Sequence, residues 1–145
     1  MNKNYQRFAP LLLRLVIGYG SMAHGWVKLS RGPAGFERLL VYTHTPFAHL
    51  LSWIVPFVEV LGGLAILIGL FLRAAAVPLI ITMLTAMFTV QMRYGFSSVN
   101  TTGLTSSGPL FGPPGFEINL LYIAGLLSLM ITGAGALSID SLRSH

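Results

Sequence analysis

Apolar residues in this chain gather into four long runs, residues 8–29, 47–72, 74–92 and 118–132, separated by breaks rich in polar residues, Gly or Pro. A helix needs roughly 20 such residues to cross the hydrocarbon layer. The pattern therefore predicts an all-α fold, a polytopic membrane four-helix bundle in a single domain spanning 1–145. Within residues 30–46, Gly32-Pro33 signals a turn, and Phe36, Leu39, Leu40 and Thr43 fall on one helical face. A short amphipathic helix at the membrane interface is expected there, between the first and second spans. Residues 94–115 are dense in Gly, Ser, Thr and Pro and are expected to be irregular backbone outside the hydrocarbon.

The polar positions inside the runs are ordered too. At about 100° per residue, Arg14, Gly18, Ser21, His24, Gly25 and Lys28 share one face of the first run. Ser52, Pro56, Glu59 and Gly63 share a face of the second, Pro78, Thr82, Thr85, Thr89 and Arg93 of the third, and Glu117, Gly125, Ser128 and Thr132 of the fourth. Lipid gives helices no hydrophobic reason to associate, so small residues and interhelical hydrogen bonds must do it. Four such seams predict a bundle with a polar interior.

Glu59 stands at the middle of the second run, where a charge costs about 2.5–3.5 kcal/mol on insertion scales. It is expected to point inward to a partner. With antiparallel first and second helices, Arg14 lies about 7 Å to one side of its level and His24 about 8 Å to the other. An Arg14–Glu59 pair is the first expectation, since guanidinium binds carboxylate bidentately; its plainer reading is a structural pair that fixes helix register. His24 is then the group free to titrate, or else a hydrogen-bonded core histidine. Glu59 and His24 are the candidate proton-handling residues. Arg14, Lys28 and Glu117 are candidate binding groups in the polar interior or at its mouth. For Lys28 the competing reading is snorkelling to the interface, and for Glu117 a favourable anion in the first turn of the fourth helix.

Composition sharpens this picture. The 145 residues are 54% hydrophobic and only 9% charged, with mean hydropathy +0.73. The formal charge of +5 is scattered over span ends without a basic cluster, which argues against nucleic acid as a partner; the lipid bilayer is the expected surroundings. Lys3, Arg7, Arg73 and Arg143 would flank one side, Lys28, Arg31, Arg38 and Arg93 the other, so positive charge alone does not orient the chain. The basic N-terminus favours both termini in the cytoplasm. Arg14 interrupts the first run, which is also longer than a signal-peptide core, so that run is read as a retained span. With no cysteine in the chain, it can form neither disulfides nor thiolate metal sites. His44 and His49 flank Pro46 at poor spacing for a metal, and the glycines of GYGSMAHG lack dinucleotide-binding spacing. No metal site is expected.

The segments LLLRLVIGYGSMAHGWVKL, GPAGFERLL, LLSWIVPFVEVLGGLAILIGLFLRAAA and FEINLLYIAGLLSLMITGAGALSID, taken in order, resemble the DoxX family of small bacterial four-helix membrane proteins. The most specific features are Arg14…His24-Gly25…Lys28, Glu59-Val60-Leu61-Gly62-Gly63 with Leu70…Arg73, and Gly115-Phe116-Glu117. Relatives include the small membrane subunit of a thiosulfate:quinone oxidoreductase. The resemblance implies a multi-pass protein of the bacterial inner membrane that is redox-associated and faces quinone, with no covalently held cofactor. Gln91 stands where many relatives have histidine, so no role requiring that histidine is carried over.

Three functions compete. In the first, the polar interior takes a quinone headgroup and Glu59 with His24 exchanges protons as the ring is reduced. In the second, the chain is a non-catalytic scaffold that recruits a soluble redox enzyme through residues 94–115. In the third, intramembrane charges mark the path of a small-molecule transporter. Association of the chain with further copies of itself is left open.

Overall fold

The computed structural model describes residues 7–143; Lys3, counted among the flanking charges, lies outside them. Among these residues the chain forms six α-helices: α1 (Ala9–Ser30), α2 (Pro33–Tyr42), α3 (Ala48–Ile68), α4 (Leu72–Ala86), α5 (Glu117–Thr132) and α6 (Ile139–Arg143). A π-helical turn, Met87–Gln91, and a 3₁₀ turn, Met92–Tyr94, prolong α4. Two helices are long and apolar enough to cross a membrane, Ala48–Ile68 with mean hydropathy 2.1 and Leu72–Tyr94 with 1.8; Glu117–Thr132 is a shorter apolar helix.

The element boundaries follow local chemistry. Pro33 opens α2 after Gly32, whose φ of +79° suits glycine. α3 ends at Gly69, φ +66°, where Leu70 N–H donates to Ala65 O at 2.9 Å, the closing bond of a Schellman cap. The second apolar run thus breaks three residues before its expected end at 72, because glycine accepts the left-handed conformation that terminates the helix.

One part of the all-α expectation needs correction. Residues 94–115 hold a two-stranded antiparallel sheet, β1 (Thr101–Thr105) and β2 (Gly108–Phe111), rather than only irregular backbone. The two residues between the strands, Ser106-Ser107, close a hairpin, and pairing satisfies backbone groups that an irregular loop would leave to water. Glu117, the expected mouth residue, accepts the Ser98 N–H at 2.9 Å and so pins the entry to this hairpin.

α1 and α3 pack as the small-residue seams predict. A Cβ on Gly18 would lie 2.8 Å from Gly63 O, and one on Gly25 would lie 2.6 Å from Pro56 O, so the backbones touch at two levels. Arg14, Gly18, Ser21 and Gly25 of α1 and Ser52, Pro56, Glu59 and Gly63 of α3 are buried. The seams expected on the third and fourth helices are only partly used. α4 and its extension bury Leu72, Ala76, Leu79, Met83 and Met87, and α5 buries Asn119, Gly125, Leu126 and Leu129. The threonines can stay off this core because Thr82, Thr85 and Thr89 each donate to the carbonyl four residues earlier, at 2.9, 2.9 and 2.7 Å. Beside these polar groups a buried aliphatic cluster forms the hydrophobic core: Ile17, Ile66, Leu72, Ala76, Leu79, Leu126, Leu129 and Ala134.

Arg14 is 1% exposed and does not pair with Glu59. Its guanidinium donates to five carbonyls: Ile66 and Leu67 in the last turn of α3, and Ala134, Ala136 and Leu137 in the segment after α5. Carbonyls at a helix C-terminus lack intrahelical donors, and a forked cation is the side chain best shaped to serve several at once. Next to it, Asp140 accepts from Phe71 N–H at 2.9 Å and Leu72 N–H at 3.1 Å, capping α4. The segment after α5 therefore ties the α3–α4 turn to the rest of the fold. Replacing Arg14 with Met is expected to destabilise the protein by about 3 kcal/mol or more, by removing the side-chain donor from five carbonyls, of which Ile66 O keeps the Gly69 N–H. Arg14→Lys should lie between Met and wild type, since a point donor serves fewer of them. Thermal unfolding of the purified chain checks this, and an unchanged midpoint in Arg14→Met would refute it.

Candidate functional site

The carboxylate of Glu59 finds its partner on the other side from Arg14. Lys28 Nζ lies 2.6 Å from both Oε1 and Oε2. The reason is directional. Side chains on a helix lean toward its N-terminus, so on antiparallel neighbours Lys28 and Glu59 lean toward each other, while Arg14 and Glu59 lean apart. The backbone contacts of Gly18 with Gly63 and Gly25 with Pro56 put Arg14 about 12 Å below the Glu59 level and Lys28 about 9 Å above it, at 1.5 Å per residue. The N-terminal lean closes the second gap and widens the first. Lys28 thus turns inward to Glu59, its side chain 25% exposed against 2% for Glu59. Its ammonium also sits 4.7 Å over the Phe36 ring, a cation–π contact that anchors α2 above the pair.

The pair forms part of the wall of a cavity of about 290 Å³ between α1, α2, α3, α4 and α5. The expected amphipathic helix supplies its cover, with Phe36, Leu39 and Leu40 facing in; Leu51 and Val55 line it from α3 and Ile118 from α5. Against this apolar lining stand Lys28, Glu59, His24, Tyr122, Asn119, Gln91 and the threonines of α4. The π turn contributes Thr89, Val90 and Gln91 to the wall; such widened turns re-aim side chains and recur at functional sites. A mostly apolar cleft with a few convergent polar groups is the usual form of a small-molecule site, although at about 290 Å³ this one is at the lower end of their range.

His24, expected beside Glu59, shares the cavity but not the ion pair. It is exposed, and its ring meets Tyr122 edge-on, with centroids 6.0 Å apart. Tyr122 in turn fits against Gly20, where any Cβ would collide with its hydroxyl. Arg14 and Glu117 are absent from the cavity lining. Asn119, Tyr122 and Gln91 did not stand out in the sequence as site residues. Asn119, two positions after Glu117, is 2% exposed and donates from Nδ2 to Met83 O at 3.3 Å. Its only advance signal was a lone amide in the first turns of an apolar helix.

The DoxX family model matches residues 9–92, more than half of the chain. The chain belongs to the DoxX family. An uncharacterized membrane protein of Mycobacterium tuberculosis, Rv3486, is 30% identical over 141 residues, covering 90% of this chain and 78% of the relative. The Escherichia coli inner membrane protein YqjF is 32% identical over 143 residues, covering 97% and 95%. A Bacillus subtilis relative named "Putative oxidoreductase CatD" is 25% identical, covering 97% and 90%. No solved structure gives a significant match. This DoxX-family chain is accordingly a membrane protein. The matched region holds Lys28, Glu59, His24 and Gln91, whereas Asn119 and Tyr122 come from α5, beyond it.

Removing one partner of the ion pair leaves a buried charge uncompensated. Lys28→Met should cost about 3 kcal/mol, the low end for a buried pair because Lys28 keeps some exposure. Lys28→Met with Glu59→Gln should recover much of that loss. Unfolding of the two single variants and the double variant, read as a cycle, checks the coupling; additive effects would refute the pairing.

Proposed function

We propose that this DoxX-family chain is the integral membrane subunit of a quinone-linked oxidoreductase system and holds a quinone headgroup in the α1–α5 cavity. The observation that carries this reading is the Lys28–Glu59 pair set in the wall of an otherwise apolar cleft. A quinone ring is apolar and flat with polar oxygens at its ends, and its reduction takes up two electrons and two protons to give hydroquinone. Apolar walls suit the ring, and a carboxylate–ammonium pair beside it can pass protons. His24 is the second proton-handling group, at the same cavity and nearer solvent. In this reading four helices, α1, α3, α4 with its extension, and α5, cross the bacterial inner membrane, with both termini in the cytoplasm and α2 on the opposite surface. The chain has no cysteine, and a partner of the oxidoreductase class supplies the electrons. The name of the Bacillus subtilis relative, "Putative oxidoreductase CatD", supports the same reading.

Glu59→Gln tests the proposal. The substitution keeps shape and removes the titrating charge. Quinone co-extracted with gently purified wild-type protein, counted per folded chain, should fall about tenfold in the variant. Equal quinone content in both proteins, or none in wild type, would overturn the reading.

A second reading, a scaffold for a soluble redox enzyme, is favoured by one observation. The β-hairpin is ordered yet presents Leu104, Leu110 and Phe111 at 82%, 52% and 67% exposure, and exposed apolar groups on a formed element suit a protein contact. Shortening the hairpin across residues 101–111 should abolish co-purification of such an enzyme and leave quinone content intact. Partner recovery unchanged by the deletion would remove this role.

A further inference from the structure

We infer that the cavity is built to hold the hydroquinone form more tightly than the quinone, an inference that rests on the quinone reading above. It comes from the polarity of the wall. Asn119 Oδ1 and Gln91 Oε1 are both buried and without a hydrogen-bond partner, and both residues line the cavity. Buried acceptors left unpaired are costly and uncommon. For Asn119 the orientation of the amide is determined by its neighbour: Nδ2 donates to Met83 O, a group that can only accept, so the unpartnered atom is the oxygen.

The threonines add to the same bias. Thr82, Thr85 and Thr89 donate their hydroxyl protons to carbonyls of their own helix, so what they offer the cavity is lone pairs. Lys28 is the cationic donor on the wall, but both Glu59 oxygens lie 2.6 Å from its ammonium. Tyr122 and His24 can donate or accept. The α4–α5 side of the cavity is therefore rich in acceptors. A quinone presents only carbonyl oxygens, which face those acceptors unfavourably. A hydroquinone presents two O–H donors, and donation to Asn119 Oδ1, with Gln91 Oε1 as the second acceptor, satisfies what the protein leaves open.

One recovered hydrogen bond to an orphaned acceptor corresponds to about a tenfold preference. For a two-electron couple this raises the potential of the bound pair by about 30 mV relative to the free pair. The test titrates the full chain in lipid nanodiscs, without oxygen, with a tail-less dimethoxy-methyl-benzoquinone and separately with its hydroquinone. Calorimetry should give about tenfold tighter binding for the hydroquinone. Asn119→Leu should weaken hydroquinone binding about tenfold and so abolish its preference over quinone, and Gln91→Met should give a smaller loss in the same direction. Quinone binding equal to or tighter than hydroquinone in wild type overturns the inference while leaving the quinone site standing. Failure of both forms to bind overturns the site itself. The wild-type comparison decides the matter even if Asn119→Leu does not fold.

Discussion

Charge carried into a helical interior that water does not reach must be solvated by the protein itself, and Arg14 and Glu59, the strongly buried charges among the described residues, obey that constraint in different ways. Arg14 uses backbone. Its five carbonyl partners come from the end of α3 and from the segment after α5, so a single guanidinium gathers parts of the chain more than 100 positions apart. Glu59 uses a side chain, the ammonium of Lys28. The first arrangement closes one end of the fold as structure. The second leaves a polar pair on the wall of a cleft, where it is available for chemistry.

The cleft itself follows from unequal packing among the helices. Glycines at 18, 25 and 63 let α1 and α3 touch backbone to backbone, and large aliphatic side chains such as Leu79, Leu126 and Leu129 fill the space toward α4 and α5. Nearer the α2 end this filling stops. There α4 widens into its π turn, Gly20 makes room for Tyr122, and α2 lies over the opening with Phe36 in contact with Lys28. The aliphatic core and the cavity thus occupy successive levels of the same set of helices, the core toward the Arg14 end and the cavity toward the end where Lys28 lies.

Much of this was legible in the chain before folding was considered. The apolar runs, the helical face of residues 36–43, the small-residue seams of the first two long helices and the inward placement of Glu59 all depend on local periodicity or on the cost of a lone charge, and periodicity is written in single residues. Threonines at 82, 85 and 89, expected as a polar seam, donate instead to their own helix. The hairpin was harder to see because its signal is weak: Gly, Ser and Thr in residues 101–111 suit either a loop or a strand pair. Asp140 as a cap was invisible, since its partners, Phe71 and Leu72, are 69 and 68 residues away.

By itself the sequence determined that the five longer helices would form about where they do, that residue 59 would need a counter-charge and that α1 and α3 could approach closely. Which cation answers Glu59 was decided only in three dimensions. Spacing along two helices leaves Arg14, His24 and Lys28 all within plausible range, and the choice depends on the axial offset set by the Gly18–Gly63 and Gly25–Pro56 contacts together with the N-terminal lean of each side chain. Likewise the meeting of Asn119, Gln91 and Tyr122 around one cavity depends on how α5 is rotated against α4. That rotation comes from packing among residues far apart in the chain, whose relative depth no periodicity encodes.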